Sequence, residues 1–180
     1  MTIEKTFIKD LLIIHPTVFE DDRGYFLESY NKKVLMSKLD VEFLQDNESM
    51  SHKGVLRGLH FQKPPYSQAK LVRVITGSVL DVAVDLRKDS LTYGKHYKRV
   101  LSAKNKTQLY VPEGFAHGFL VLEDHTIFSY KCTSYYHKEA EAALSWNDET
   151  LNIDWDIEHP IISEKDKIAE NFTNFNTPFL

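Results

Sequence analysis

The sequence has little of what would mark an exported, membrane-bound or nucleic-acid-binding protein. Its single cysteine, Cys132, cannot form an internal disulfide, which is typical of chains kept in a reducing cytoplasm. No apolar run approaches the roughly 18 residues of a membrane span, and charge from Glu4 onward argues against a signal peptide. The formal net charge of −4 leaves no basic excess to attract nucleic acid. We expect a cytoplasmic protein that binds neither nucleic acid nor membrane.

Several catalytic signatures are also missing. The sequence contains no G-x-S-x-G nucleophile motif, no P-loop and no dinucleotide fingerprint. A metal site built on clustered histidines usually needs an H-x-H pair, yet Gln62 stands where the second histidine would follow His60, and His117 alone could supply a later ligand. Two histidines without a carboxylate make a poor ligand set, so we predict no metal and no cofactor. Cys132 lies on the apolar and tyrosine-bearing face of its strand, which favours a buried, inert thiol.

Aromatic residues, in contrast, are plentiful: nine Tyr, eleven Phe and two Trp. They favour β-structure over a helical bundle. One helix is predicted over residues 32–39, and Ser163 is a plausible N-cap of a second, short one. Outside the central stretch described next, strands are predicted over residues 11–14, 25–30, 41–47, 78–86, 95–101, 108–111, 115–122 and 126–132. We expect one domain over residues 1–180, built as a β-sandwich or barrel.

The stretch 54–73 carries the densest set of chemically active side chains. Two strand-like runs, broken by Pro64-Pro65, hold Arg57, His60, Lys70 and Arg73, and we expect these groups on rigid neighbouring strands. A titratable imidazole flanked by fixed cations suits proton abstraction next to a carbonyl in an anionic substrate. The alternative is a surface hairpin whose charges face water. Spacing alone does not show that His60, Lys70 and the more distant Tyr130 meet.

Ordered motifs along most of the chain give a more specific indication. They are DRGYF from Asp22 with Glu28, FLQDN from Phe43, LRGLHFQ from Leu56, KLVR from Lys70, DVAVDLR from Asp81, VPEGFAHGF from Val111, YKCT from Tyr130 with Tyr135-Tyr136, WND from Trp146 and SEKD from Ser163. In these motifs the chain resembles the dTDP-4-dehydrorhamnose 3,5-epimerase family, from about residue 11 to residue 166.

The resemblance implies an all-β, cupin-like double-stranded β-helix, or jelly roll, with a few short helices and a single epimerase domain. It implies a homodimer with exchanged N-terminal strands, so that each site draws residues from both subunits. It also implies metal-free acid–base catalysis through enolates, which converts dTDP-4-dehydro-6-deoxy-D-glucose to dTDP-4-dehydro-L-rhamnose in deoxysugar biosynthesis for polysaccharides.

Roles for individual residues follow from the same resemblance. His60 looks like the proton acceptor, Asp166 its orienting carboxylate, Lys70 the cation beside the C4 oxygen, and Tyr130 the donor on the opposite face. Tyr136 looks like the ring that stacks on the base. The remaining residues that resemble the family's substrate contacts are Arg23, Glu28, Gln45, Asn47, Arg57, His117, Glu141 and Lys165.

Two departures from the family pattern bear on how the substrate and its base fit. Ala69 stands where the family often has Gly, after a turn containing Pro64-Pro65-Tyr66, and His137-Lys138 stand where a proline is common. Other readings stay open as well. A single-position epimerase or a 3,4-ketoisomerase would share the base, and a sugar-nucleotide-binding cupin would have no turnover.

Overall fold

The computed structural model describes residues 1–180, apart from the side chains of Met36 and Lys38. None of the described helices is long and apolar enough to cross a membrane. The helices are α1 (Lys32–Leu39) and α2 (Glu164–Lys167), with single 3-10 turns at Lys138–Ala140 and Phe172–Asn174. The strands are β1 (Thr2–Lys5), β2 (Leu12–His15), β3 (Val18–Asp21), β4 (Gly24–Leu27), β5 (Gln45–Ser51), β6 (Leu56–Gln62), β7 (Lys70–Thr76), β8 (Ser78–Asp85), β9 (His96–Ser102), β10 (Gln108–Val111), β11 (Phe115–Val121), β12 (Thr126–Cys132) and β13 (Glu141–Ala143).

Two antiparallel sheets form the body of the molecule. One has the strand order β1-β2-β10-β7-β12-β5, the other β13-β6-β11-β8-β9, and β3 with β4 forms a separate hairpin. The chain passes between the two sheets after β5, β6, β7, β9, β10, β11 and β12, as it does in a jelly roll. The predicted all-β, cupin-like fold is confirmed.

Apolar side chains form three layers around these sheets. The central cluster takes residues from both sheets, among them Val72, Phe119 and Phe128, and therefore fills the space between them. A second cluster packs the outer face of the five-stranded sheet against the C-terminal segment, including Trp155 and Phe179. A third packs the outer face of the six-stranded sheet against α1. Because the central cluster fills the space between the two sheets, a polar side chain that points between them is held in a largely dry interior.

The strand boundaries differ from the sequence prediction in a few places. The predicted strand 41–47 starts only at Gln45 and continues to Ser51, because Val41 and Phe43 pack in the cluster beside α1 instead. The predicted strand 25–30 ends at Leu27. The short strands β1, β3 and β13 were not predicted, since runs of three or four residues are too short to show a clear alternation.

The expectation that the two runs of the central stretch form neighbouring strands is wrong. β6 belongs to the five-stranded sheet and β7 to the six-stranded sheet. The connection between them contains Pro64-Pro65, and proline has no backbone N–H with which to continue a ladder. As a result, His60 at the end of β6 and Lys70 at the start of β7 line one cavity from opposite sheets.

Candidate active site

Alternation along two strands turns Lys70 and Tyr130 into the interior. Lys70 shares a face of β7 with Val72 and Val74, and Tyr130 shares a face of β12 with Phe128; these three apolar residues belong to the central cluster. The two strands are hydrogen-bonded neighbours, and the Lys70 Nζ atom lies 5.9 Å from the centre of the Tyr130 ring. The ammonium group and the phenol are therefore fixed close together by one sheet.

The imidazole of His60 approaches from the opposite sheet and is held by a carboxylate. His60 Nε2 lies 2.6 Å from Asp166 Oδ1, and the side chain of Asp166 is buried while that of His60 is 30% exposed. Asp166 sits in the first turn of α2, where Ser163 caps the helix as predicted by accepting a hydrogen bond from the Asp166 amide. Burial raises the pKa of Asp166, but hydrogen bonds involving His60, Ser163 and the Gly58 backbone outweigh it and lower the pKa overall.

The interior shifts the two groups on the other sheet in opposite directions. Burial lowers the pKa of Lys70, and the nearby Cys132, Asp81 and Glu141 only partly oppose it. Burial also raises the pKa of Tyr130, against smaller lowering effects of the Arg57 charge and of an Asn47 hydrogen bond. Tyr130 consequently stays protonated at neutral pH, which a group that donates a proton requires.

A polar rim completes the site. The Tyr136 hydroxyl donates to Glu141 Oε2 at 2.9 Å, and the Tyr136 amide donates to Gln45 Oε1 at 2.9 Å. Gln45 in turn donates to Asn47 Oδ1 at 3.0 Å. Lys165 forms an ion pair with Glu141. Although burial raises the pKa of Glu141, the hydrogen bonds from Lys165 and Tyr136 lower it overall and keep its carboxylate charged.

These groups surround one cavity of about 130 Å³ between the sheets. Seven of the thirteen site residues predicted from the sequence line it: Gln45, Asn47, His60, Lys70, Tyr130, Tyr136 and Glu141. Asp166 and Lys165 join it through their bonds to His60 and Glu141. The cavity thus offers an imidazole, a lysine amino group and a phenol around one small space.

Four of the predicted site residues do not line this cavity. Arg23 is on the β3–β4 hairpin, where its 90% exposed side chain pairs with Asp21 at 2.6 Å, and Glu28 is exposed just after β4. Arg57 is exposed on β6 and donates to Ser51 Oγ. His117 is buried, with Nε2 at 3.0 Å from both carboxylate oxygens of Asp81.

Three cavity residues were missed by the sequence analysis of the site. They are Phe61, Gln62 and Gln68. Phe61 and Gln62 directly follow His60, so the LHFQ motif itself carried the signal. Asp81 was recognised only as the first residue of the DVAVDLR motif, and its pairing with His117 was not predicted because the two residues are 36 positions apart.

Comparison with known proteins identifies the family. The family model for dTDP-4-dehydrorhamnose 3,5-epimerase matches residues 5–174. The chain belongs to the dTDP-4-dehydrorhamnose 3,5-epimerase family. A protein of that name from Shigella flexneri is 51% identical over 176 residues, which cover 97% of both chains.

Solved structures of the family agree with this assignment. A dTDP-4-dehydrorhamnose 3,5-epimerase from Elizabethkingia anophelis NUHP1 is 53% identical, covers 97% of both chains and superposes with a TM-score of 0.92. A dTDP-6-deoxy-D-glucose-3,5-epimerase from Legionella pneumophila Philadelphia 1, in complex with dTDP-4-keto-L-rhamnose, is 43% identical with a TM-score of 0.94. That match covers 99% of this chain and 98% of the other.

Proposed function

We propose that the chain inverts C3 and C5 of dTDP-4-dehydro-6-deoxy-D-glucose and so forms dTDP-4-dehydro-L-rhamnose, in the deoxysugar branch of polysaccharide synthesis. It is an isomerase of a family whose named members are 3,5-epimerases. The observation that carries the proposal is the cavity between the sheets, in which a carboxylate-bound imidazole, an ammonium and a protonated phenol meet.

The first step is removal of a proton next to the ketone. C3 and C5 both flank the C4 carbonyl, so loss of either C–H proton gives an enolate with its charge on O4. His60 accepts the proton, and Asp166 stabilises the imidazolium that results. The ammonium of Lys70 stabilises the oxyanion, an interaction that is strong because the interior excludes most water.

The second step delivers a proton to the opposite face of the enolate. Tyr130 gives up its hydroxyl proton to the carbon, the carbonyl reforms, and the configuration is inverted. If His60 simply returned the proton that it took, the starting configuration would be restored. Exchange with water then removes the proton from His60 and reprotonates Tyr130, so one cavity serves C3 and C5 in turn.

The homodimer with exchanged N-terminal strands belongs to the same proposal. Phe19, Tyr25 and Phe26 of the β3–β4 hairpin are exposed in the single chain, and β5 is an edge strand of its sheet. Exposed aromatic residues and an open sheet edge are features that a partner can cover. In the dimer, Arg23 and Glu28 of one subunit reach the cavity of the other, where Arg23 together with Arg57 binds the diphosphate.

Mixing two inactive variants tests this shared site directly. In a heterodimer of Arg23→Ala and His60→Asn subunits, one site carries both changes and the other carries neither. When the two variants are mixed and allowed to exchange subunits, activity is therefore expected to return. Each heterodimer should have about half of the activity of a wild-type dimer. If activity does not return although heterodimers are present, Arg23 does not act across the interface.

The cytoplasm is the proposed location. The one thiol, Cys132, is free and buried in the interior, and a reducing compartment keeps such a thiol unmodified. Purified enzyme should then lose no activity in millimolar thiol reductant.

Incubation with the 4-keto sugar nucleotide in D2O tests the reaction. Deuterium at both C3 and C5 is the expected result. Label at only one position would instead indicate a single-position epimerase or a ketoisomerase, and no label would indicate binding without turnover. Parallel assays with dTDP-, CDP- and GDP-linked substrates test the choice of nucleotide, for which we expect dTDP.

A further inference from the structure

Gln62 is buried in the lining of the cavity, and its side-chain amide makes three hydrogen bonds to the backbone. Its Nε2 group donates to the carbonyl oxygens of Tyr66 at 2.7 Å and Tyr135 at 3.2 Å, and its Oε1 accepts from the His137 amide at 2.6 Å. These partners fix the orientation of the amide, because two carbonyls need the NH2 group and one N–H needs the oxygen. A residue two positions after the proposed base, His60, thus joins two loops.

The two loops also meet through their rings. Tyr66, in the β6–β7 connection, stacks on His137 with ring centres 3.7 Å apart and planes 13° apart. His137 is one of the positions where the chain departs from the family pattern. The ring stack and the Gln62 hydrogen bonds together attach the segment 135–137, which follows β12, to the β6–β7 connection. We call this set of contacts the clasp.

Tyr136 lies in the middle of that segment. The hydrogen bonds of Gln62 fix the residues on either side of it, Tyr135 and His137. Tyr136 itself is exposed, and apart from the Gln45 and Glu141 hydrogen bonds its place beside the cavity depends on where the segment runs. Ordering this segment before the substrate arrives reduces the entropy lost on binding.

We propose that Gln62 is a positioning residue that sets the affinity for the nucleotide by holding Tyr136 at the rim of the cavity. This inference rests on the proposed function and on the role that the family resemblance implies for Tyr136, which is to stack on the base of the dTDP-linked sugar. The three hydrogen bonds of Gln62 all go to the backbone, and none goes to His60, Lys70 or Tyr130. Loss of Gln62 should therefore weaken binding of the nucleotide and leave the proton transfers in the bound complex almost unchanged.

The first test needs no ligand. Gln62→Met keeps the volume of the side chain but makes none of the three hydrogen bonds. Amide hydrogen exchange in a peptide spanning 133–140 should speed up by about tenfold, because the His137 amide has lost its acceptor. Asn105→Ala is the matched control, since Asn105 also bonds three backbone groups, in the β9–β10 turn far along the chain. Unchanged exchange in 133–140 would overturn the proposal.

The second test uses dTDP and the keto sugar. For Gln62→Met we expect a rise of about tenfold in both KM and the dTDP dissociation constant, with kcat within about threefold of wild type. Asn105→Ala should leave all three unchanged. Equal loss in kcat and kcat/KM would assign Gln62 to the chemistry instead and contradict a positioning role.

A double-mutant cycle separates positioning through Tyr136 from general damage. If Gln62 acts through Tyr136, Gln62→Met should add almost nothing to the KM effect of Tyr136→Ala. Fully additive effects would refute the proposal. Absence of turnover in the wild type would remove the proposed function, but the exchange measurement would still decide whether the clasp exists.

Discussion

His60 and His117 are direct partners on the neighbouring strands β6 and β11, and each is held by an aspartate. Directly opposed residues project from the same face of a sheet, so both rings point into the interior. The side chain of His60 is 30% exposed and lines the cavity, whereas that of His117 is 6% exposed and its Nε2 atom contacts both oxygens of a fully buried Asp81. The same pair of residue types therefore lines the cavity in one case only.

The origin of each aspartate explains this difference. Asp81 lies on β8, the other neighbour of β11, so the His117 pair is formed within one sheet and is covered by the second. Asp166 comes from α2, 106 residues further along the chain than His60 and outside both sheets. A carboxylate that approaches from the edge leaves the imidazole facing an open cavity. We infer that the His60 pair serves the chemistry and the His117 pair serves the fold, and five variants test that division.

The largest effect is expected for His60→Asn. The amide still reaches towards Asp166 but cannot take a proton, so deuterium incorporation at C3 and C5 should fall by about 10³-fold. The melting temperature should change by no more than about 2 °C, because the side chain is partly exposed. Deuterium exchange and thermal melting of the same sample measure both. Retention of more than a tenth of the exchange rate would remove His60 as the base.

His117→Leu should mainly lower the stability of the fold, whereas His60→Asn should mainly lower the rate of exchange. It leaves the carboxylate of Asp81 buried without this partner, and breaking a buried pair in this way costs about 3 kcal/mol. Chemical denaturation measures the loss. The paired replacement His117→Leu with Asp81→Leu should recover part of it, because both polar partners are then gone. If the single variant instead kept its stability but lost substrate affinity, the role of substrate contact predicted from the sequence would be supported.

Tyr130→Phe tests whether the phenol, on the sheet opposite His60, donates the proton that inverts the configuration. The phenol is not needed to remove the proton, so exchange of the substrate's own C–H should stay within about tenfold of wild type. Formation of inverted product should fall by about 10²-fold, within the range for loss of a general acid. Quantifying label in recovered substrate and in product separates the two rates. Equal loss of both would exclude Tyr130 as the opposite-face donor.

Features of the fold and site that depend on residues close together in the sequence could be predicted, whereas contacts between residues far apart in the sequence could not. Alternation on β12 is local, and it placed Tyr130 on the apolar face of its strand together with Cys132. The cap at Ser163 is also local. The division of β6 and β7 between two sheets was missed, because strand pairing is decided by packing of distant segments. The pairing of Asp81 with His117 was missed for the same reason.

Asp81→Asn tests whether the charge of Asp81, in the buried pair with His117, affects the pKa of Lys70 in the cavity. Burial lowers the pKa of Lys70, and the charge of Asp81 opposes burial by raising that pKa. Without this charge the pKa of Lys70 falls further, so Lys70 loses its proton at lower pH. The basic limb of the profile of kcat/KM against pH should therefore move to lower pH, while the acid limb stays in place. An unmoved basic limb would mean that Lys70 is not the cation that activity requires.

Ser163→Ala should have the smallest effect, and it acts on the His60 pair alone. The hydroxyl caps α2 and also helps to lower the pKa of Asp166, against the raising effect of burial. Its removal should cost about 1 kcal/mol. Ser163→Thr keeps a capping hydroxyl without adding a charge and is the matched control.

The pH dependence of that cost distinguishes the two contributions of the hydroxyl. A carboxyl whose pKa is lowered on folding adds stability above its unfolded pKa, and this stability is lost as the pH falls through the folded value. With Ser163→Ala the pKa of Asp166 rises towards its ordinary value, so the stability deficit should be larger at pH 7 than near pH 2. A deficit that stays constant with pH would assign the whole effect to the helix cap. Because His117 and Asp81 lie on strands, their pair should be insensitive to this change at any pH.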